Sequence, residues 1–269
     1  MIFKELEKLP TKKLILKAYH EEDDDIYINY IHILRTRGNE EVFKLTKQLV
    51  YSKDSVFRDI AASILGQFGY KTKLHKGESV YLLNKLLNDK NEDVITSAIY
   101  AFGHRKCSRY AEKLASFITL NSKQVNEALA FTLGHYTHKK AIETLILLMK
   151  NKDFDTRNWA TFELAQISEV NTPKICDALF NNLSDKEFEV RGEALLGLAL
   201  RKDIRVKAAI LEDFQADFYG SWIFDAIIEM PDREYIQYFD TYVNSLHEDD
   251  IKAFKSNIEG ARQALKEFQ

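Results

Sequence analysis

TRNWATFELAQISEVNTPKICDALFNNLSDKEFEVRGEALLGLALRKD, residues 156–203, holds two copies of one pattern. In the first, Thr156 is followed by Ala160 at +4, Leu164 at +8 and Ala165 at +9. In the second, Val190 is followed by Ala194, Leu198 and Ala199 at the same offsets. Offsets of four and eight residues stay on one face of a helix, because a helix turns every ~3.6 residues. Small residues at +4 and +9 let a neighbouring helix come close. An arginine follows each start, Arg157 and Arg191.

Earlier copies begin at Phe57 (with Arg58, Ala61, Leu65, Gly66), at Val94 (Ala98, Phe102, Gly103) and at Val125 (Leu129, Leu133, Gly134). A weaker copy begins at Ile26, with Tyr30 and Leu34. The starts are separated by 31, 37, 31, 31 and 34 residues. A period of this length marks a repeat architecture. The 37-residue step implies an insertion at residues 70–77, where Lys71, Lys73, His75 and Lys76 form a compact basic group read as a solvated loop.

Each B helix, as we term the helix carrying the small residues, is preceded by a polar turn: SKDS, NDKNED, NSKQ, NKDFD or SDKEFE. Asp and Asn there supply N-caps and charge that suits a helix start. Before each turn lies an amphipathic A helix, as in Val80, Leu83, Leu86 and Leu87, or Ala141, Leu145 and Leu148. The expected architecture is all-α, an α–α superhelix of about six helical hairpins and a divergent C-terminal helical cap. We expect a single solenoid over 1–269: a cap helix within 1–25, repeats over 26–203 and divergent helices over 204–269. Repeats escape the size limit of a single core because each packs only on its neighbours.

Composition bounds the function. Three prolines and ten glycines in 269 residues favour long runs of helix. A net charge of -3 and a pI near 6.2 speak against a dedicated nucleic-acid binder. The charged N-terminus lacks a signal-peptide apolar run, and no stretch approaches ~20 apolar residues, so a cytoplasmic protein with no membrane partner is expected. Cys107 and Cys176 sit in no CxxC or Cys/His cluster and read as reduced thiols.

The units resemble HEAT repeats of the phycobilisome-lyase-like class found in many bacterial proteins, with NWATFELA and EVRGEALLGLA carrying the likeness. The resemblance implies an armadillo-type solenoid whose B helices line a concave side, and a role as a protein-binding scaffold with no cofactor. It depicts a packing motif, from which no reaction follows. The arginine after position 0 is missing at Ile95 and Asn126, which interrupts an arginine ladder. Arg58, Arg157 and Arg191 are read as structural, each bridging to a turn carboxylate.

If the B helices face outward along +3, +6 and +10, the middle of that stripe gathers Tyr100, Phe131, Trp159 and Phe162. His104, His135, Glu127, Glu163 and Glu193 flank them. Aromatics ringed by polar groups have the composition of an interface hot spot. The competing reading, inter-helix core, stays open, since one residue of register turns a helix by ~100°. His104 and His135 fall in neighbouring repeats, whose axes lie ~8–10 Å apart, too far to share a metal; no metal is expected. The expected partner is another protein or peptide. Two enzymatic alternatives come with the fold: a HEAT-like DNA glycosylase, with Trp159 and Glu163 as aromatic and carboxylate, and a phycobilin-lyase-like activity. No catalytic motif supports either.

Overall fold

A computed structural model describes residues 5–70, 74–215 and 220–268. Lys71 and Lys73 of the basic group, and the first residues of the expected cap helix, lie outside them. The described residues form helices and turns without a strand. They fall into two compact units, Met1–Leu133 and Gly134–Gln269.

In the N-terminal unit, hairpins pair α1 (Thr11–Tyr19) with α2 (Asp24–Arg37), α3 (Glu40–Val50) with α4 (Ser55–Gln67), and α5 (Lys76–Leu86) with α6 (Glu92–Arg105). The next pairs the short α7 (Ala111–Ser116) with α8 (Lys123–Leu133). The B helices stack in order, α2 on α4, α4 on α6 and α6 on α8. The small residues set the spacing. A Cβ added at Gly66 would meet the Cα of Ala101 at 3.0 Å, and one at Gly103 would meet Thr132 Oγ1 at 3.0 Å.

The C-terminal unit continues with α9 (Lys139–Leu148) and α10 (Phe154–Phe162), which runs into a π-helical turn at Glu163–Ile167. Then come α11 (Pro173–Asn182), α12 (Phe188–Leu200), α13 (Val206–Asp213), α14 (Trp222–Glu229), α15 (Ile236–Ser245), α16 (Glu248–Ala253) and α17 (Lys255–Lys266). Here α10 packs on α12, α12 on α14 and α14 on α17. The divergent segment 204–269 therefore keeps the stacking order after its sequence pattern has faded. Its core is filled by Ile223, Phe224, Ala226, Ile227, Ile258, Ala261 and Leu265, all buried.

The polar turns act largely as anticipated. Asp54, Asn91 and Asp153 accept from Val56 N–H, Val94 N–H and Thr156 N–H at 2.9, 3.2 and 3.0 Å. At the start of α12 the cap position is Glu187, whose side chain makes no cap bond. Asp185 takes over, accepting from Glu187 N–H at 3.0 Å.

Candidate functional site

The arginine after position 0 binds two turns at once. Arg58 holds Asp89 through Nε and Nη2 at 2.7 and 2.9 Å, and donates through Nη1 to the carbonyls of Ser52 and Lys53 at 2.9 and 3.0 Å. Arg157 repeats the geometry on Asp185 (2.8 and 3.0 Å) and on the carbonyls of Asn151 and Lys152 (3.0 and 3.1 Å). Such bidentate pairs are the strong ones. The Arg58 hydrogen bonds hold Asp89 below the usual carboxylate range. Burial pushes Asp185 up, yet the bonds from Arg157 and the Glu187 N–H bring it below as well. Arg191 donates to the carbonyls of Asp185 and Lys186 at 2.9 and 3.1 Å.

The aromatic stripe takes different forms in the two units. In the N-terminal unit Tyr100 of α6 and Phe131 of α8 are half-buried with ring centroids 5.5 Å apart, and His104 meets the same Phe131 ring at 5.7 Å. Burial and the nearby Glu127 carboxylate raise the Tyr100 phenol. In the C-terminal unit Trp159 of α10 is 42% exposed and meets the half-buried Phe162 edge-on at 5.8 Å. His135 is half-buried.

Two residues of the expected stripe lie inside. Glu163 is 2% exposed, packed so close to Gly134 that a Cβ there would come within 2.7 Å of the Glu163 Cβ. Glu193 is 8% exposed and accepts from Gln166 Nε2 at 2.5 Å and Trp222 Nε1 at 3.0 Å. Burial raises the Glu193 carboxyl, and these two bonds oppose the rise. Helical spacing puts Glu193 in the outward stripe and Glu163 beside it, and it cannot register the Trp222 ring that covers the one or the turn at Gly134 that packs on the other. The basic loop also divides: His75 stacks on Phe43 at 3.8 Å and bonds Glu40 at 2.8 Å, while Lys76 is exposed.

A column at +11 escaped the sequence reading. It runs Arg37, Phe68, Arg105, Tyr136, Ile167, Arg201. Phe68 and Tyr136 are fully buried, and the three arginines reach back to backbone groups of the preceding repeat or cap. The signal was present one residue beyond +10.

The sequence over residues 111–199 matches the family described as HEAT repeats. Protein YibA of Escherichia coli (strain K12) is 32% identical over 231 residues, covering 83% of this chain and 82% of that protein. The chain belongs to the YibA family of HEAT-repeat proteins. The X-ray structure of E. coli YibA overlaps 98% of this YibA-family chain and 95% of its own, with a TM-score of 0.74 and 28% identity. A chain from the structure in which Kap95p binding acts on the switch loops of RanGDP overlaps 97% of this chain and 40% of its own, at TM-score 0.63 and 15% identity. That likeness is one of fold. The YibA-family chain is thus an all-α HEAT-type solenoid, and no helix among its described residues is long and apolar enough to cross a membrane.

Proposed function

We propose that this chain is a non-catalytic binding module that docks a protein or peptide on its B-helix face. The observation that carries the proposal is Trp159: a large ring, 42% exposed on α10, held edge-on by Phe162. Rigid exposed aromatics give much contact area for little lost entropy, which is why they dominate binding hot spots. The N-terminal unit carries an aromatic pair of its own, the half-buried Tyr100 and Phe131. A HEAT-type face of this kind suits an amphipathic helix or extended peptide. The glycosylase alternative is disfavoured, since its carboxylate, Glu163, is 2% exposed.

The test is a comparison of wild type with Trp159→Ala. A partner recovered by affinity purification from source cells, then purified, should bind the wild-type chain directly and lose at least about tenfold in affinity for the variant. The variant's thermal midpoint should stay unchanged. Undiminished binding by Trp159→Ala removes the site; an unfolded variant places the ring in the core.

A further inference from the structure

The three arginines at +11 each use two of their three nitrogens: Nη1 and Nη2 in Arg37 and in Arg201, where the Nε of Arg201 is buried without a partner among the described residues, and Nε and Nη2 in Arg105. Arg201 donates through Nη1 to the carbonyls of Ala165 and Gly197 at 2.7 and 3.1 Å, and through Nη2 to those of Leu164, Ser168 and Val170. Arg37 donates through Nη1 to Thr11 Oγ1 at 3.1 Å and through Nη2 to the Glu7 and Leu9 carbonyls at 2.8 and 2.9 Å. Arg105 uses Nε on the Leu65 carbonyl at 2.9 Å and Nη2 on the Leu65 and Phe68 carbonyls, the end of α4. Its Nη1 has no acceptor among the described residues.

Arg105 is only 8% exposed. Burial lowers its pKa to about 10, and no carboxylate acts to raise it. A buried charge without a counter-charge is costly and is normally neutralised or paired.

Arg105 opens onto a cavity of about 430 Å³ that it lines with Tyr70, Lys76, His104 and Lys106. No carboxylate is among the described lining residues, in a chain whose net charge is -3. Neither Lys76 nor Lys106 is held in an ion pair by the described residues. Lys106 follows the end of α6, where the helix dipole favours a cation. That reason fails for Lys76, the first residue of α5, where the dipole disfavours one. The same helix start has no side-chain cap, so its first N–H groups add positive potential. Glu78, in that first turn, pairs with Lys47 at 2.6 Å and does not line the cavity.

We propose that this cavity of the N-terminal unit binds a phosphate-bearing small molecule, with Arg105 Nη1, Lys76 and Lys106 taking its phosphoryl oxygens. The number of cations matches a dianion with three acceptor oxygens better than a single carboxylate. The volume lies in the range of small-molecule sites, ~300–1,000 Å³.

Calorimetric titration of the full chain with inorganic phosphate and with pyrophosphate, at constant ionic strength, tests the assignment. Saturable binding with Kd of about 1 mM or tighter is expected for at least one probe. Acetate should not reproduce it. The double variant Lys76→Gln/Lys106→Gln changes only exposed side chains. It should keep its thermal midpoint and weaken the phosphate probe by at least about tenfold. Absence of saturable binding with both probes overturns the proposal. So does an acetate response equal to that of phosphate, or undiminished binding by the double variant. If the double variant loses its midpoint, Lys106→Gln alone supplies the same comparison.

Discussion

Helices α10 and α12 are successive B helices of the C-terminal unit, and they treat the same position oppositely. At +3, α10 carries Trp159, 42% exposed, while α12 carries Glu193, 8% exposed. On hydrophobicity alone the two should be exchanged. One residue earlier α12 has Gly192 where α10 has Asn158. Without a side chain at 192, the ring of Trp222 from α14 lies against the helix; a Cβ there would meet its Cδ2 at 2.4 Å. Trp222 covers Glu193 and donates to it. A solvent-facing position in one repeat therefore becomes an interior one in the next through a single missing Cβ and the helix that exploits it. Trp159, 42% exposed, is not sealed in this way, which supports reading it as a docking residue.

The largest effect is expected where the two helices are joined. Arg157 of α10 reaches the turn before α12 through Asp185, and both side chains are about nine-tenths buried. Arg157→Ala strands a buried carboxylate and should cost about 3–5 kcal/mol, read as a lower urea midpoint. A loss under about 1 kcal/mol would mean the turns hold together without that rung. A smaller effect is expected from Gly192→Val, which displaces Trp222. It should cost about 1–3 kcal/mol by overpacking and expose the indole, seen as a red shift of its emission. An unshifted spectrum would show that the glycine is not what lets the ring lie down.

The smallest effect is in pH dependence, where two buried carboxylates of this unit carry opposite signs. Asp185 is held low, so its stabilisation is present above the ordinary aspartate range and is lost as pH falls through its depressed value. Glu193 is raised, so the folded state keeps its proton longer than the unfolded chain does. Stability therefore declines as pH rises from the ordinary glutamate value through the raised one. Asp213, pushed up to about 6 by burial despite Arg191, adds the same sign. Glu193→Gln should flatten that decline in part, measured as urea midpoints across mildly acid pH. An unaltered slope would leave Asp213 as its whole source.

Much of this was written in the local sequence. The caps at Asp54, Asn91 and Asp153, the small residues at Gly66 and Gly103, and the arginines of the turns follow from helix periodicity and hydrogen-bonding needs within one or two turns of chain. Where the pattern faded, after Val190, the stacking did not: α14 and α17 pack through Ile223, Phe224, Ile227, Ile258 and Leu265 together with the small Ala226 and Ala261. The +11 arginines are periodic too, and only the offset was overlooked.

By itself, then, the sequence determined the helical hairpins, their order and the close contacts between B helices, since these depend on spacing along one chain and on side-chain size. Which outward-looking residues stay outside was decided only in three dimensions. Glu163 is packed against the turn at Gly134 and Glu193 is covered by Trp222, while Trp159 stays 42% exposed. The cavity at Arg105 has the same origin: residues 36 positions apart meet there, Tyr70 with Lys106, and no local pattern encodes which charges will face one another without a counterpart.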